Sequence, residues 1–167
     1  QAGMFHLLSH GFFKALLFLA AGCVIHHLNT NDIWEMGGLW KRMPITSFTF
    51  LIGMLSLAGI PPFGGYFSKE MVIASAYAKD FPFFALALLA AFLTAAYMGR
   101  VFIVAFLRPG GEEEGEQESM IMSIPLIILS LITLLFGFAG KPLIHILAGG
   151  EAHSIPFPYL SLLFPLS

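Results

Sequence analysis

From Met4 to Leu28 the chain reads MFHLLSHGFFKALLFLAAGCVIHHL, and its only full charge is Lys14. As an α-helix this stretch is long enough to cross a hydrocarbon core of about 30 Å at about 1.5 Å per residue. A fixed ammonium in the middle of such a helix is expensive in lipid, so it predicts work rather than packing. Its stem is too short to reach water from that depth. His6, His10 and Lys14 recur at spacing four, which places them along one slowly drifting helical stripe that rises about 12 Å. Three protonatable groups in file have the form of a proton path.

Composition agrees with a chain that lives in lipid: 57% hydrophobic and 11% charged residues, 18 Phe among 167, and a mean hydropathy of +0.84. A net charge of −2 gives no basic footprint for nucleic acid, and no run of Lys or Arg suggests polybasic lipid binding. The one cysteine, Cys23, has no second thiol for a disulfide, zinc or iron–sulfur site and is read as packing. The chain opens on Gln1 and enters an apolar helix at once, without a charged n-region. That beginning predicts neither a signal peptide nor a natural N-terminus, but a piece of a longer protein.

The expected architecture is all-α: a polytopic transmembrane helix bundle with one discontinuous, Pro-broken helix, forming a single membrane fragment over 1–167. The first helix covers about 2–28, and the polar loop 29–43 follows, with Trp34 and Trp40 suited to the membrane interface. The apolar segment from Pro44 to Tyr77 would be about 50 Å long as one straight helix, well beyond the hydrocarbon thickness. Gly59-Ile60-Pro61-Pro62-Phe63-Gly64-Gly65 supplies a break, because two prolines remove amide donors and the glycines permit tight turns. Half-helices over about 44–58 and 66–79 should therefore meet near mid-membrane. Spans at 81–107 and 121–140 follow, separated by an acidic loop over 108–120 whose five Glu read as solvated. Residues 141–167, with Pro156, Pro158 and Pro165, are expected to form a loop or partial helix. Lys41, Arg42 and Arg108 on one side, against Lys79 and Lys141 on the other, place the 29–43 and 108–119 loops in the cytoplasm. Arg100 lies toward that same side.

The chemistry concentrates in the stripe on the first helix and in Lys69-Glu70, just after the break. Taken out of water, a lysine and a carboxylate each lose their preference for the charged form. A unit charge about 4 Å away, at an effective dielectric near 20, is worth about 4 kcal/mol, so moving one charge changes the occupancy of the next site. The break adds free amides, free carbonyls and opposed dipole ends at the same depth, as transporters arrange around an ion path. Blander readings stand beside these. The HxxxH spacing could hold zinc, but Leu7 follows His6 where a metalloprotease helix needs Glu, so no metal is expected. His26 and His27 at the helix end read as wet, and Lys69 with Glu70 could be a neutralised pair that holds the break closed.

HLLSHGFFKALLFLAAGCVIHHL, then MGGLWKRMP, LAGIPPFGGYFSKE and AYMGRVFIVAF, together resemble the antiporter-like subunit L family (subunit 5) of respiratory complex I, the NADH-quinone oxidoreductase. The resemblance covers the chain to about residue 108 and the fourth span more loosely. It implies a larger proton-translocating subunit of an enzyme complex, in a bacterial inner (plasma) membrane or an equivalent energy-coupling membrane. His6, His10 and Lys14 match the family's His-His-Lys relay. Lys69-Glu70 matches the Lys-acid pair on a discontinuous helix, where the family usually carries Asp; Glu keeps the charge and extends the reach by one methylene. The resemblance further implies no cofactor in this chain, with flavin and iron–sulfur clusters in partner subunits, and other membrane and peripheral subunits as partners. Protons would step through waters along His6, His10 and Lys14, then to Lys69 and Glu70, and leave on the side away from the cytoplasm. The alternatives are an Mrp-type cation/proton antiporter subunit or a membrane-bound hydrogenase subunit, which are similar in the same helices, and a structural membrane anchor whose polar residues only glue helices together.

Overall fold

Helix α1 (Ala2–Leu28) is continuous, and its end is set by Asn29, which adopts a left-handed φ of 53° while its N–H bonds the Ile25 carbonyl at 2.8 Å. The computed structural model describes residues 2–77, 80–109, 118 and 120–138; of His6 and Glu70 it describes the backbone alone. The segment expected as a loop or partial helix at 141–167, with Lys79 and Lys141, lies outside the described residues. Phe13, Leu16, Leu17, Ala20, Cys23 and Val24 form the buried face of α1, at helical spacing. Cys23 is thus part of the core.

The 29–43 loop is folded rather than loose. Asp32 accepts the Trp34 amide at 2.9 Å, and Gly38, at φ 66°, turns the chain into the short helix α2 (Leu39–Arg42). Pro44 then opens α3 (Pro44–Ala58), at a position where its missing amide is not needed. Met43 supplies no side-chain cap; Glu118 does instead. Its Oε2 accepts from the Ile45 amide at 3.0 Å, and its Oε1 from the Thr46 amide at 2.7 Å and from the Thr46 hydroxyl. A carboxylate at a helix N-terminus satisfies orphan donors and meets the positive end of the dipole. Glu118, read from the sequence as one of a solvated run, is therefore a cap, tied across more than 70 residues.

The chain leaves α3 at Gly59 and re-enters a helix at α4 (Gly64–Tyr77), so the long apolar segment is two half-helices. Their 15 and 14 residues rise about 22 Å and about 21 Å, each short of a bilayer core. The second half begins at 64 rather than about 66, because the Phe63 amide bonds Ile60 and the Tyr66 amide bonds Phe63, closing a turn early. Helix α5 (Phe81–Phe102) runs into a π-helical turn at Ile103–Leu107, where the Arg108 amide reaches back five residues to the Ile103 carbonyl at 2.8 Å. The sequence shows no sign of that change of pitch. It sets the Arg108 carbonyl to accept the Gly38 amide at 2.7 Å, while the Arg108 guanidinium reaches Trp34 O and Arg100 lies 5.6 Å from the Trp34 ring.

Helix α6 (Met120–Phe138) packs on α1, α3 and α4, and α1 also packs on α3 and α4. Among the described residues, three helices are membrane-length and apolar, at 22, 27 and 19 residues over Leu7–Leu28, Phe81–Leu107 and Met120–Phe138. Around the α3–α5 contact, Phe50, Phe102 and Phe106 stack with ring centroids 4.9–6.3 Å apart, and Trp40 meets Phe102 edge-on. The outward faces of α5 and α6 are mostly apolar, with Phe81, Phe92, Ile121 and Phe138 among the most exposed side chains and Arg100 exposed near the end of α5. That surface suits lipid or further apolar helices.

Among the described residues, glycine permits two close approaches to a backbone carbonyl. A Cβ on Gly65 would overlap the Ser56 carbonyl, and one on Gly137 would overlap the Pro62 carbonyl, whereas around Gly99 on α5 there is open space. Gly65→Ala should therefore block incorporation into membranes, while Gly99→Ala is tolerated or gains up to about 1 kcal/mol of helix propensity. Immunodetection of membrane-inserted protein against total protein checks both.

Candidate functional site

The break between α3 and α4 is where backbone, glycine and charge come together. The last turn of α3 leaves carbonyls without helical partners. Gly59, in the left-handed region at φ 78°, turns its amide back to Leu55 O and Ser56 O, both at 3.1 Å, and the Ile60 amide also bonds Leu55 O at 3.1 Å. Pro61 and Pro62, joined by a cis peptide bond, bring no donors. The Gly65 amide donates to the buried Ser56 hydroxyl at 3.2 Å, and the Gly65 carbonyl accepts from the buried Ser68 hydroxyl at 3.1 Å.

Into this frame α4 projects Lys69, half-buried, one turn after Gly65 and on the same helical face. Its Nζ donates to the Ala58 carbonyl at 3.4 Å, across the break. The acceptor lies at the negative end of the α3 dipole, which favours a cation. A charged hydrogen bond is worth about 1.5–3 kcal/mol, and this long one sits at the low end. Gly59 leaves room for the lysine stem: a Cβ there would lie 2.9 Å from Lys69 Cδ. Glu70 is the next residue of α4, but its side chain lies outside what is described, so its pairing with Lys69 stays an expectation.

The stripe on α1 is arranged differently. The His6 side chain lies outside the described residues; the His10 ring is half-buried and edge-on to Phe13 at 5.1 Å; Lys14 is exposed. The reason is the helical pitch. Each step of four residues overshoots a full turn by about 40°, so a line that starts near the packed face has rotated off it by Lys14. Lys14 shares its outward face with Leu7, Gly11, Phe18 and Gly22, with nothing of the described chain over either glycine. The structure therefore brings Lys69 to the break and points Lys14 away from the described bundle. At the end of α1, His26 is exposed, whereas His27 Nε2 is buried without a partner among the described residues, which corrects the expectation that both are wet.

Sequence reasoning named Gly59 as the start of the break but not as the residue that makes room for the Lys69 stem, and it missed Ser56 and Ser68 as parts of this site. Gly59 carried a usable signal, a glycine directly before a proline-rich break; the two serines had none, since hydroxyls are common in membrane helices.

Among the described residues, three membrane-length apolar helices pack with one that is broken and seats a lysine at the break, the architecture of a polytopic integral membrane protein. More specifically, the chain belongs to the NADH:quinone oxidoreductase/Mrp antiporter transmembrane family, whose model matches residues 1–94 of its 167. It is 43% identical over 163 residues to NAD(P)H-quinone oxidoreductase subunit 5 from the chloroplast of Chara vulgaris, a match covering 85% of this chain and 25% of that protein. It is 39% identical over 145 residues to NADH-quinone oxidoreductase subunit L of Rickettsia conorii, covering 84% of this chain and 22% of that protein. The chain thus spans about a quarter of the length of these relatives. Among solved structures, the Mrp complex from Dietzia sp. DQ12-45-1b contains a chain that superposes with a TM-score of 0.78 at 26% identity, over 94% of this chain and 38% of that one.

Gly59→Ala should strain the left-handed turn by about 1–2 kcal/mol and press on the Lys69 stem at once. Comparing Gly59→Ala with Gly59→Asn separates the two effects, since Asn tolerates the left-handed region better and still fills the space. If crowding of the lysine dominates, both variants lower the thermal stability of the membrane-inserted protein alike; recovery by Gly59→Asn would assign the defect to backbone strain alone.

Proposed function

We propose that this chain is part of a proton-translocating membrane subunit of an NADH:quinone oxidoreductase, working in a bacterial inner membrane or an equivalent energy-coupling membrane. The observation that carries this reading is the Lys69 ammonium seated on the Ala58 carbonyl at the helix break. A lysine held there by one long hydrogen bond and a helix dipole can be charged or neutral, and the two states differ in how strongly α4 is tied to α3. Loading and unloading that site with protons is a step of transport. The relatives support the rest: about 40% identity to subunits named for quinone oxidoreductases, against 26% to the Mrp chain.

In this mechanism protons reach Lys69 and Glu70 by way of His6, His10 and Lys14, with waters between them, and leave on the side away from the cytoplasm. Because Lys14 faces away from the described bundle, the link from it to Lys69 runs through residues beyond those described. A charged side chain at membrane depth does not face lipid, so its outward face has a protein or water-filled partner. Electron transfer belongs to partner subunits carrying flavin and iron–sulfur clusters, and biases protonation here electrostatically.

The superposition on an Mrp complex favours a second reading, a cation/proton antiporter subunit. The two are separated by whether the native complex co-purifies with flavin and iron–sulfur absorbance.

Lys69→Met and Lys14→Met each keep an apolar stem and remove a proton carrier. Each should lower proton transport per incorporated subunit by about a hundredfold, the scale of a positioned proton-transfer group. Uptake in sealed vesicles, normalised to incorporation, is the measurement, and normal uptake by either variant removes that residue from the path.

For Glu70 the carrier role and the ion-pair role part company. As a carrier, Glu70→Asp is tolerated, Glu70→Gln loses transport, and Glu70→Gln combined with Lys69→Met is not rescued. As a mere counter-charge, the double variant recovers transport, because it removes both charges together. Vesicle transport by the three variants decides between them.

A further inference from the structure

The Lys69 seat needs the two half-helices in a fixed register, and besides the lysine itself the Ser56 side chain bridges them. Ser56 is fully buried on α3, two residues before the carbonyl that receives the lysine. Its hydroxyl accepts the Gly65 amide at 3.2 Å, and its carbonyl is in such close approach to Gly65 that no Cβ fits between them. Gly65 lies one helical turn before Lys69, so the two share a face of α4. Fixing the backbone at 65 against Ser56 therefore fixes the height and rotation from which the lysine stem departs. Ser68 adds to this: its buried hydroxyl donates to the Gly65 carbonyl, so both backbone groups of Gly65 are held by serine hydroxyls.

We infer that Ser56 is a positioning residue for proton transfer at Lys69: through the Gly65 amide it sets the distance from the Lys69 ammonium to the Ala58 carbonyl. The inference rests on the proposed role of Lys69. Two ties cross the break side by side, one from α4 backbone to an α3 side chain, the other from an α4 side chain to α3 backbone. Removing the first frees α4 to rotate or slide, and the second then loses its 3.4 Å geometry, which has little to spare.

The test uses the whole complex in sealed vesicles. Proton transport per incorporated subunit is read for Ser56→Ala, Ser56→Thr and Lys69→Met. Beside it, the reaction rate of a Lys69→Cys thiol with a small water-soluble methanethiosulfonate reagent is read with and without Ser56→Ala. Ser56→Ala leaves the Gly65 amide buried without an acceptor and should lower transport about tenfold, the effect of one unsatisfied buried donor. Ser56→Thr keeps the hydroxyl and should retain most of the transport, and the labelling rate at position 69 should change severalfold with Ser56→Ala. A merely structural serine would change incorporation alone: parent transport per subunit and unchanged labelling in Ser56→Ala, with Lys69→Met inactive, overturn the positioning role and leave the Lys69 reading standing. Parent transport in Lys69→Met overturns the Lys69 reading itself.

Discussion

A break in a helix leaves amides and carbonyls without helical partners, and the residues around this one are organised to satisfy them. The amides of Gly59 and Ile60 fold back onto α3, Phe63 bonds Ile60, and Gly65 bonds the Ser56 hydroxyl. Two of the remaining positions are prolines and have no amide to satisfy. The Ala58 carbonyl takes the Lys69 ammonium. α6 completes the enclosure by bringing Gly137 against Pro62, Phe63 and Gly64, an approach that a larger residue would prevent. The same groups that would destabilise an ordinary helix thus form the polar seat of the site.

The buried face of α6 follows from that demand. Ser123, Leu126, Ser130, Thr133 and Gly137 form one inward stripe, while Ile121, Ile128, Leu131 and Phe138 face outward. In a soluble helix the pattern would be reversed. Ser130 and Thr133 return their hydroxyl protons to the Ile127 and Leu129 carbonyls at 2.8 Å, so they enter the interior without needing partners elsewhere. Small and self-satisfied residues let α6 approach α1, α3 and α4 closely, where the hydrophobic effect between helices contributes little.

The membrane character of the chain and the break were legible in the sequence, because each depends on residues close together: an apolar segment too long for one span, and Pro61-Pro62 inside it. What was not legible depends on residues brought together by folding. Glu118 caps α3 from more than 70 residues away, and nothing in a run of five Glu distinguishes the one that does so. The π turn at Ile103–Leu107 has no sequence mark, since its apolar residues suit either pitch. Spacing four on α1 showed that His6, His10 and Lys14 follow a stripe, but which side of the bundle Lys14 faces was set by where Phe13, Leu16 and Ala20 pack. The Gly59–Lys69 contact crosses the break, so it required the half-helices to be placed first.

The two ties across the break differ in one physical respect that gives the proposed cycle its logic. The Gly65–Ser56 bond joins neutral groups and has the same strength in every protonation state of the site. The Lys69–Ala58 bond joins a charge to a dipole end, so its strength depends on whether the lysine carries its proton. If the charged tie stood alone, deprotonation would loosen α4 from α3 at the break and leave the Ala58 carbonyl without its donor, which is costly where it is buried. In the proposed cycle the neutral tie keeps the half-helices in register while the lysine leaves its seat and returns. A broken helix able to exchange a proton repeatedly needs both kinds of contact, and here they lie within one turn of each other.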